Sequence, residues 1–291
     1  MYKRLCFSTI TMTMTQYPLR SRRFAPLREV AGGQHHDLPK LHGLIFDVDG
    51  TLCLPQNHMF SEMRAALRIP KHVDILEHIY SLPTRAQQDA AMASVRAIEQ
   101  RTMASQIAQP GLADLMAYLD ARGVRKGICT RNFDTPVSHL LGKFLAGHVF
   151  HPIVTRDFRP PKPDPAGLLY IARSWGLVRA VEGPGDEGEV REVLSEESSG
   201  SSSAREKEAA VGRRGEQISE VGDASGLIMV GDSIDDMTAG RRAGAATVLL
   251  VNDVNAHLAE HEHTDMVIER LDDLIQVLDH GFVGRELPHN L

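Results

Sequence analysis

The stretch Leu44-Ile45-Phe46-Asp47-Val48-Asp49-Gly50-Thr51-Leu52 constrains the chain more than any other. Leu44 to Val48 does not alternate between apolar and polar, which predicts a strand covered on both faces of a parallel sheet. Asp47 and Asp49, spaced i, i+2, then fall where that strand ends, the edge at which open α/β sheets bind ligands. Gly50 lets the chain turn away sharply. An aspartate ionises near about pH 3.9, so Asp47 is a candidate nucleophile that needs no base to activate it. Asp49 is placed to move a proton to or from a leaving group. In isolation the stretch also reads as a solvated Asp-x-Asp-Gly turn.

The length of 291 residues allows one large domain, or one domain with a smaller insert. A hydrophobic content of 42% supports an ordinary packed core, and a net charge of −6 gives no reason to expect nucleic acid as partner. Cys6, Cys53 and Cys129 are odd in number and form no C-x-x-C pair, which fits a reducing, intracellular compartment. No apolar run approaches the ~18 residues a membrane helix needs, so no membrane partner is expected. Residues 1–28 hold six basic residues and no acid. That composition reads as a mitochondrial transit peptide, as a disordered extension, or as sequence upstream of a start at Met12 or Met14. Both cytoplasmic and mitochondrial locations stay open, and residues 1–40 are expected to lie outside the fold.

Beyond the first strand, residues 57–109 contain no glycine and read as helices over Phe60–Arg68, His72–Ser81 and Thr84–Gln106, separated by Pro70 and Pro83. Inserted directly after Asp47, they predict a small lid over the site. Pro110-Gly111 marks the return to the main domain. Helix Leu112–Ala121, strand Val124–Cys129, helix Asp134–Ala146, strand Pro152–Thr155 and helix Ala166–Trp175 follow. Lys162 stands between prolines in Pro160-Pro161-Lys162-Pro163, which stiffen the backbone around it.

Residues 182–225 carry twelve acids against five bases and a serine run, with almost no large apolar side chain. They predict a disordered insertion where a connection of about 2–6 residues would normally do. Strand Leu227–Val230 leads into Gly231-Asp232-Ser233-Ile234-Asp235-Asp236, then helix Met237–Ala243, strand Ala246–Val251, a short strand Asp265–Ile268 and helix Leu271–Leu278. The alternation predicts a three-layer, Rossmann-like α/β fold with a mostly parallel sheet and a small helical cap inserted after the first motif.

Parallel strands bring Asp47/Asp49, Thr130, Lys162 and Asp232/Asp236 to one edge. So many carboxylates need a cation among them, and an all-oxygen set favours Mg²⁺. A lysine and a hydroxyl beside a metal and a carboxylate nucleophile fit phosphoryl transfer, where the work is positioning and charge neutralisation.

The chain resembles the haloacid dehalogenase superfamily of phosphatases. Asp47-Val48-Asp49-Gly50-Thr51-Leu52 is similar to the first motif of that family. Thr130 matches the second, Lys162 in Pro-Lys-Pro the third, and Gly231-Asp232-Ser233-Ile234-Asp235-Asp236 the fourth. The likeness covers residues 41–56, 110–181 and 226–280 as catalytic core, with 57–109 in the place of a type-one cap. It implies that Asp47 forms an aspartyl-phosphate and that Asp49 protonates the leaving oxygen and then activates water. It implies that Thr130 and the Arg131 amide hold phosphoryl oxygens, and that Lys162 bridges nucleophile and phosphate. Mg²⁺ would sit on Asp47, the Asp49 carbonyl and Asp232, with Asp236 behind them and Asp235 the more dispensable of the pair. The implied activity is Mg²⁺-dependent hydrolysis of a small phosphorylated metabolite. A sugar-phosphate mutase of the same superfamily and an idle binding protein are the alternatives.

Arg64, Arg68 and Arg85 of the cap are candidate contacts for an anionic substrate, although exposed helix arginines ordinarily face water. Cys53 and Cys129 read as small buried thiols. His35-His36 and the His257, His261, His263 group lack metal-ligand spacing and read as surface histidines.

Overall fold

In the computed structural model, residues 22–28, 38–181 and 219–285 are described. Strands β1 (Gly43–Phe46), β2 (Arg125–Cys129), β3 (Ile153–Val154), β6 (Leu227–Gly231), β7 (Ala246–Leu250) and β8 (Met266–Ile268) form a sheet in the order β3-β2-β1-β6-β7-β8. Every neighbouring pair in it is parallel. β1 lies at the centre and is buried throughout, which is why its sequence does not alternate. Leu44 and Phe46 point into one core layer, with Leu115 and Leu119 of α4 (Leu112–Ala121), Val137 and Leu140 of α5 (Asp134–Phe144) and Leu274 of α8 (Asp273–His280). Ile45 points into the other, with Leu168 and Ile171 of α6 (Ala166–Ser174) and Ala239 of α7 (Ile234–Ala243). These are the three layers expected, and the strand ends that carry the motifs share one edge.

The cap is α1 (Asn57–Leu67), α2 (Ile75–Ser81) and α3 (Arg85–Met103), each within a few residues of its expected span. Thr84 caps α3, its hydroxyl accepting the Gln87 N–H, and Asp74 caps α2. The cap has its own apolar cluster, in which Met59, Met63, Ile79 and Val95 surround Phe133. Phe133 belongs to the core, so this cluster fastens one part to the other.

Two expectations about segment boundaries are corrected. Residues 1–40 are not wholly outside the fold. Phe24 is 2% exposed within the main core, its ring 5.8 Å from that of Phe282. Its N–H donates to the Phe282 carbonyl, and the Gly284 N–H donates to the Arg22 carbonyl. Arg22 also pairs with Asp265 at 3.1 Å. The basic composition of the segment hides this, because the partner strip lies some 250 residues away. Residues 1–21 and 29–37, where the transit-peptide reading falls, lie outside the described residues.

The insertion also ends earlier than 225. Strand β5 (Ser219–Gly222) pairs antiparallel with β4 (Val178–Val181), and Ala224 is fully buried. β5 has no large apolar residue except Val221, so nothing in its sequence separates it from the polar stretch before it. Residues 182–218, the rest of that reading, lie outside the described residues.

Candidate active site

Asp47 follows β1 directly, and its N–H continues the ladder by donating to the Val230 carbonyl at 3.0 Å. Its carboxylate accepts a 2.9 Å hydrogen bond from Lys162 Nζ, which reaches in from the proline-rich loop after β3. Lys162 Nζ also donates to Asp236, so one buried ammonium is held between two buried carboxylates. Burial opposes the charge on Lys162, but Asp236 and Asp47 overcome it and hold its pKa above the usual lysine range. Burial raises Asp47 above the ordinary aspartate value, with Lys162 acting against that rise.

Asp236 is fully buried and completely engaged. One oxygen takes Lys162. The other accepts from the Ser233 N–H at 3.0 Å and the Ser233 hydroxyl at 2.6 Å, closing a capping box at the start of α7.

Asp232, at the end of β6, is different: its carboxyl receives no hydrogen bond among the described residues. Burial and then the neighbouring Asp236, Asp47 and Asp49 push it up to about 9. Gly50 makes room for it. At a φ of 84° and with a Cβ falling 2.0 Å from Asp232 Oδ2, no other residue fits there. Asp47, Asp232 and Asp236 each offer a carboxylate oxygen within 4.8 Å of the others, the one such group among the described residues. Carboxyl groups gathered this closely, one of them without a donor, offer the hard oxygen ligands that a divalent cation would take, and such a cation would favour their ionised form.

Asp49 accepts the Gln56 N–H at 3.0 Å, and burial raises it to about 7. Gln56 in turn donates to the Thr102 carbonyl at 3.0 Å, and Gln109 donates to the Gly50 carbonyl at 3.0 Å. Both connections between core and cap therefore grip the loop that carries Asp49. Sequence reading missed these glutamines, and no local pattern singles them out.

Thr130 ends β2, buried beside Asp47, its hydroxyl donating to Asn132 at 2.8 Å. Arg131 follows, and its side chain pairs with Asp74 of the cap at 2.5 Å and with Asp235 of α7. Asp235, read in sequence as the more dispensable of the pair with Asp236, holds the side chain of the arginine next to Thr130. The Arg131 carbonyl accepts Arg156 Nε at 2.6 Å, and Arg156 stands 3.1 Å from Glu99 of α3. Glu99 is 1% exposed, and burial raises it to about 7. Arg96 and Arg156 each lie over the Phe133 ring, at 4.5 and 4.2 Å.

These groups surround a cavity of about 280 Å³ between core and cap, lined by Asp47, Asp49, Lys162 and Asp232 on one side and by Phe60, Arg64 and Ile75 on the other. Arg68 and Arg85 do not line it. Arg85 is exposed and pairs with Asp89 at 3.1 Å. Burial pushes the Cys53 thiol up beyond its usual range and the Cys129 thiol up to about 12, as expected of inert cysteines. His257, His261 and His263 join no group of three metal-binding side chains among the described residues.

The HAD-hydrolase-like family model matches residues 208–274. An uncharacterized hydrolase of Saccharomyces cerevisiae is 37% identical over 83% of this chain and 91% of its own length. A haloacid dehalogenase-like hydrolase domain-containing protein of Arabidopsis thaliana is 31% identical over 72% of this chain and 71% of its own length. The chain belongs to the haloacid dehalogenase-like hydrolases. Among solved structures, CbbY from Rhodobacter sphaeroides, in complex with phosphate, has the same fold. It covers 80% of this chain and 96% of its own, at a TM-score of 0.51 and 18% identity. No helix among the described residues is long and apolar enough to cross a membrane.

Proposed function

We propose that the protein is a Mg²⁺-dependent phosphatase that hydrolyses a small phosphorylated metabolite through an aspartyl-phosphate. The observation that carries this reading is Lys162, buried between Asp47 and Asp236 while the carboxyl of Asp232 stands beside them without a donor. A buried carboxylate held by a fixed ammonium is aimed and ionised, which a nucleophile needs and a binding surface does not.

In this reading an Asp47 oxygen attacks phosphorus as the ester P–O bond breaks. Asp49 gives its proton to the departing oxygen, then takes one from the water that releases phosphate. A carboxyl raised to about 7 is close to half protonated at neutral pH, suited to both duties. The Thr130 hydroxyl and the Arg131 amide hold the equatorial oxygens, and Lys162 offsets their charge. Mg²⁺ would be held by Asp47, the Asp49 carbonyl and Asp232, while Asp236, with both oxygens engaged, keeps Lys162 in place. When bound, the metal neutralises charge on the phosphoryl group and the carboxylates. The cavity of about 280 Å³ supports a small substrate. A structural relative seen with phosphate supports the ligand class.

Phosphate release from a panel of small phosphomonoesters, with Mg²⁺ and with chelator, tests the reading. Release that requires Mg²⁺ is expected. Failure of every ester in Mg²⁺, or full rate in chelator, would overturn it.

A further inference from the structure

Three contacts from the cap converge on one short stretch of the core, residues 130–133. Asp74, the cap of α2, pairs with Arg131 at 2.5 Å. The Phe133 ring sits in the apolar cluster of the cap. Glu99 of α3 stands 3.1 Å from Arg156 Nη2, and Arg156 holds the stretch by two carbonyls. Its Nε donates to that of Arg131 at 2.6 Å and its N–H to that of Asn132 at 2.9 Å. At the other end the Thr130 N–H donates to the Val154 carbonyl at 2.9 Å. The peptide that carries the Arg131 N–H is thus fixed on both sides. Arg131 and Asn132 line the same cavity as Asp47 and Lys162.

Glu99 is the unusual member of this set. It is 1% exposed, and among the described residues neither of its oxygens meets a donor in hydrogen-bonding geometry. Arg156 and then the Phe133 N–H, both of the core, oppose the rise that burial imposes on its carboxyl. The cap side chains around Phe133, Met59, Met63, Ile79 and Val95, are apolar and make no use of a charge there. A buried ion pair so short of hydrogen bonds is a poor source of stability, because desolvation offsets the attraction. What the pair does supply is a fixed place for Arg156, whose guanidinium lies over the Phe133 ring at 4.2 Å and whose Nε grips the Arg131 carbonyl.

We propose that Glu99 is a positioning residue. Acting through Arg156, it sets the backbone of residues 131 and 132 and with it the donors that receive the phosphoryl group. Helix α3 thereby shapes the phosphate site without touching substrate. For the ligand it names, the proposal rests on the phosphatase reading above; the hold on residues 130–133 does not.

Hydrogen exchange in the full-length protein, without Mg²⁺ or ligand, reads the hold directly. The Thr130 and Asn132 amides, which donate to the Val154 carbonyl and the Thr130 hydroxyl, should exchange about tenfold or more faster in Glu99→Gln. The Asp47 N–H, bonded to the Val230 carbonyl, should exchange as in the parent. A general loosening would speed all three and would overturn the role.

Calorimetry in Mg²⁺ should find inorganic phosphate bound about tenfold or more weakly by Glu99→Gln than by the parent. Because the phosphoryl group is common to all esters, kcat/KM should fall by the same factor for phenyl phosphate and for 3-hydroxypropyl phosphate. Arg156→Lys keeps a charge beside Glu99 but has one nitrogen where the guanidinium used two. It should weaken phosphate binding as well, and adding Glu99→Gln to it should weaken binding little further. Phosphate bound equally by parent and Glu99→Gln, losses that differ between the two esters, or effects of the two substitutions that simply add, would overturn the role. Faster exchange at Thr130 and Asn132 in Glu99→Gln, with no phosphate released from any ester by the parent, leaves the hold standing and overturns the phosphatase reading instead. Should Glu99→Gln fail to fold, Glu99→Asp, which keeps the charge but draws it back from Arg156, takes its place with the same expected changes.

Discussion

Replacing Lys162 with methionine removes the ammonium that Asp47 and Asp236 share and leaves two buried carboxylates facing each other. Breaking a buried pair from one side costs about 3–5 kcal/mol, because the stranded charge keeps its desolvation penalty. For a domain of this size that is on the order of 10 °C in Tm. The loss should depend on pH in a definite direction. Asp47 already ionises above its ordinary value because of burial, and Lys162 is the group that restrains the rise. Without Lys162 it rises further, so the variant folds best with that carboxyl protonated. Its stability is then greatest below the unfolded value near about pH 4 and falls as pH climbs through the raised native value. Urea denaturation of parent and Lys162→Met in chelator, at pH 5 and pH 7.5, measures this. The deficit should be larger at pH 7.5, and adding Asp236→Asn should recover part of it, giving a coupling of about 0.5–3 kcal/mol in the double-mutant cycle. A variant as stable as the parent at pH 7.5, or a deficit equal at both pH values, would refute the electrostatic argument.

Asp47→Asn should lose phosphate release by a factor of about 10³ or more while its circular dichroism stays native, since the amide is nearly isosteric but a poor nucleophile. Turnover comparable to the parent would end the covalent hypothesis. Ca²⁺ in place of Mg²⁺ should inhibit, because its larger and looser coordination misplaces the nucleophile; equal rates with the two ions count against the metal assignment. Phe24→Ala should destabilise by about 3–5 kcal/mol, as loss of a buried aromatic does, and a denaturation curve unchanged from the parent would show that the segment is not part of the folded unit. Replacing residues 182–218 by a short Gly/Ser linker should cost no stability, since Val181 and Ser219 are already paired across the ribbon. A replacement extended through Ala224 should destabilise, because it removes β5 and a buried side chain.

What the sequence disclosed and what it withheld divide along the distance over which each contact is made. The positions of Asp47 and Asp232 were legible because each directly follows its own strand, where a local apolar run marks the place, and that of Lys162 because prolines flank it in the loop after β3. Ser233 and Asp236 close a box only three residues long, and Thr84 caps its own helix. The cap helices were visible between Pro70 and Pro83 for the same reason. The Arg131 bridge could not be read in this way, because Asp74 and Asp235 lie 57 and 104 positions away and exposed arginines are common. The Glu99–Arg156 pair looks in sequence like two ordinary surface charges. Arg64 stands out from Arg68 and Arg85 only once the helix phase turns it toward the cavity. Phe24 and β5 were lost to composition, since each belongs to a stretch whose average is polar while its one or two buried side chains are not.

The pairing of Arg22–Phe24 with Phe282–Gly284 makes the described chain nearly a closed ring. A ring can be opened elsewhere without changing what holds it together. Joining the two ends through a short linker and cutting within residues 182–218 should give a circularly permuted protein with the same sheet order and the same site. The same closure bears on handling in the cell. Pulling Arg22–Phe24 away strips an edge from the core. Unravelling begun from either end of the described residues therefore meets the same clasp first.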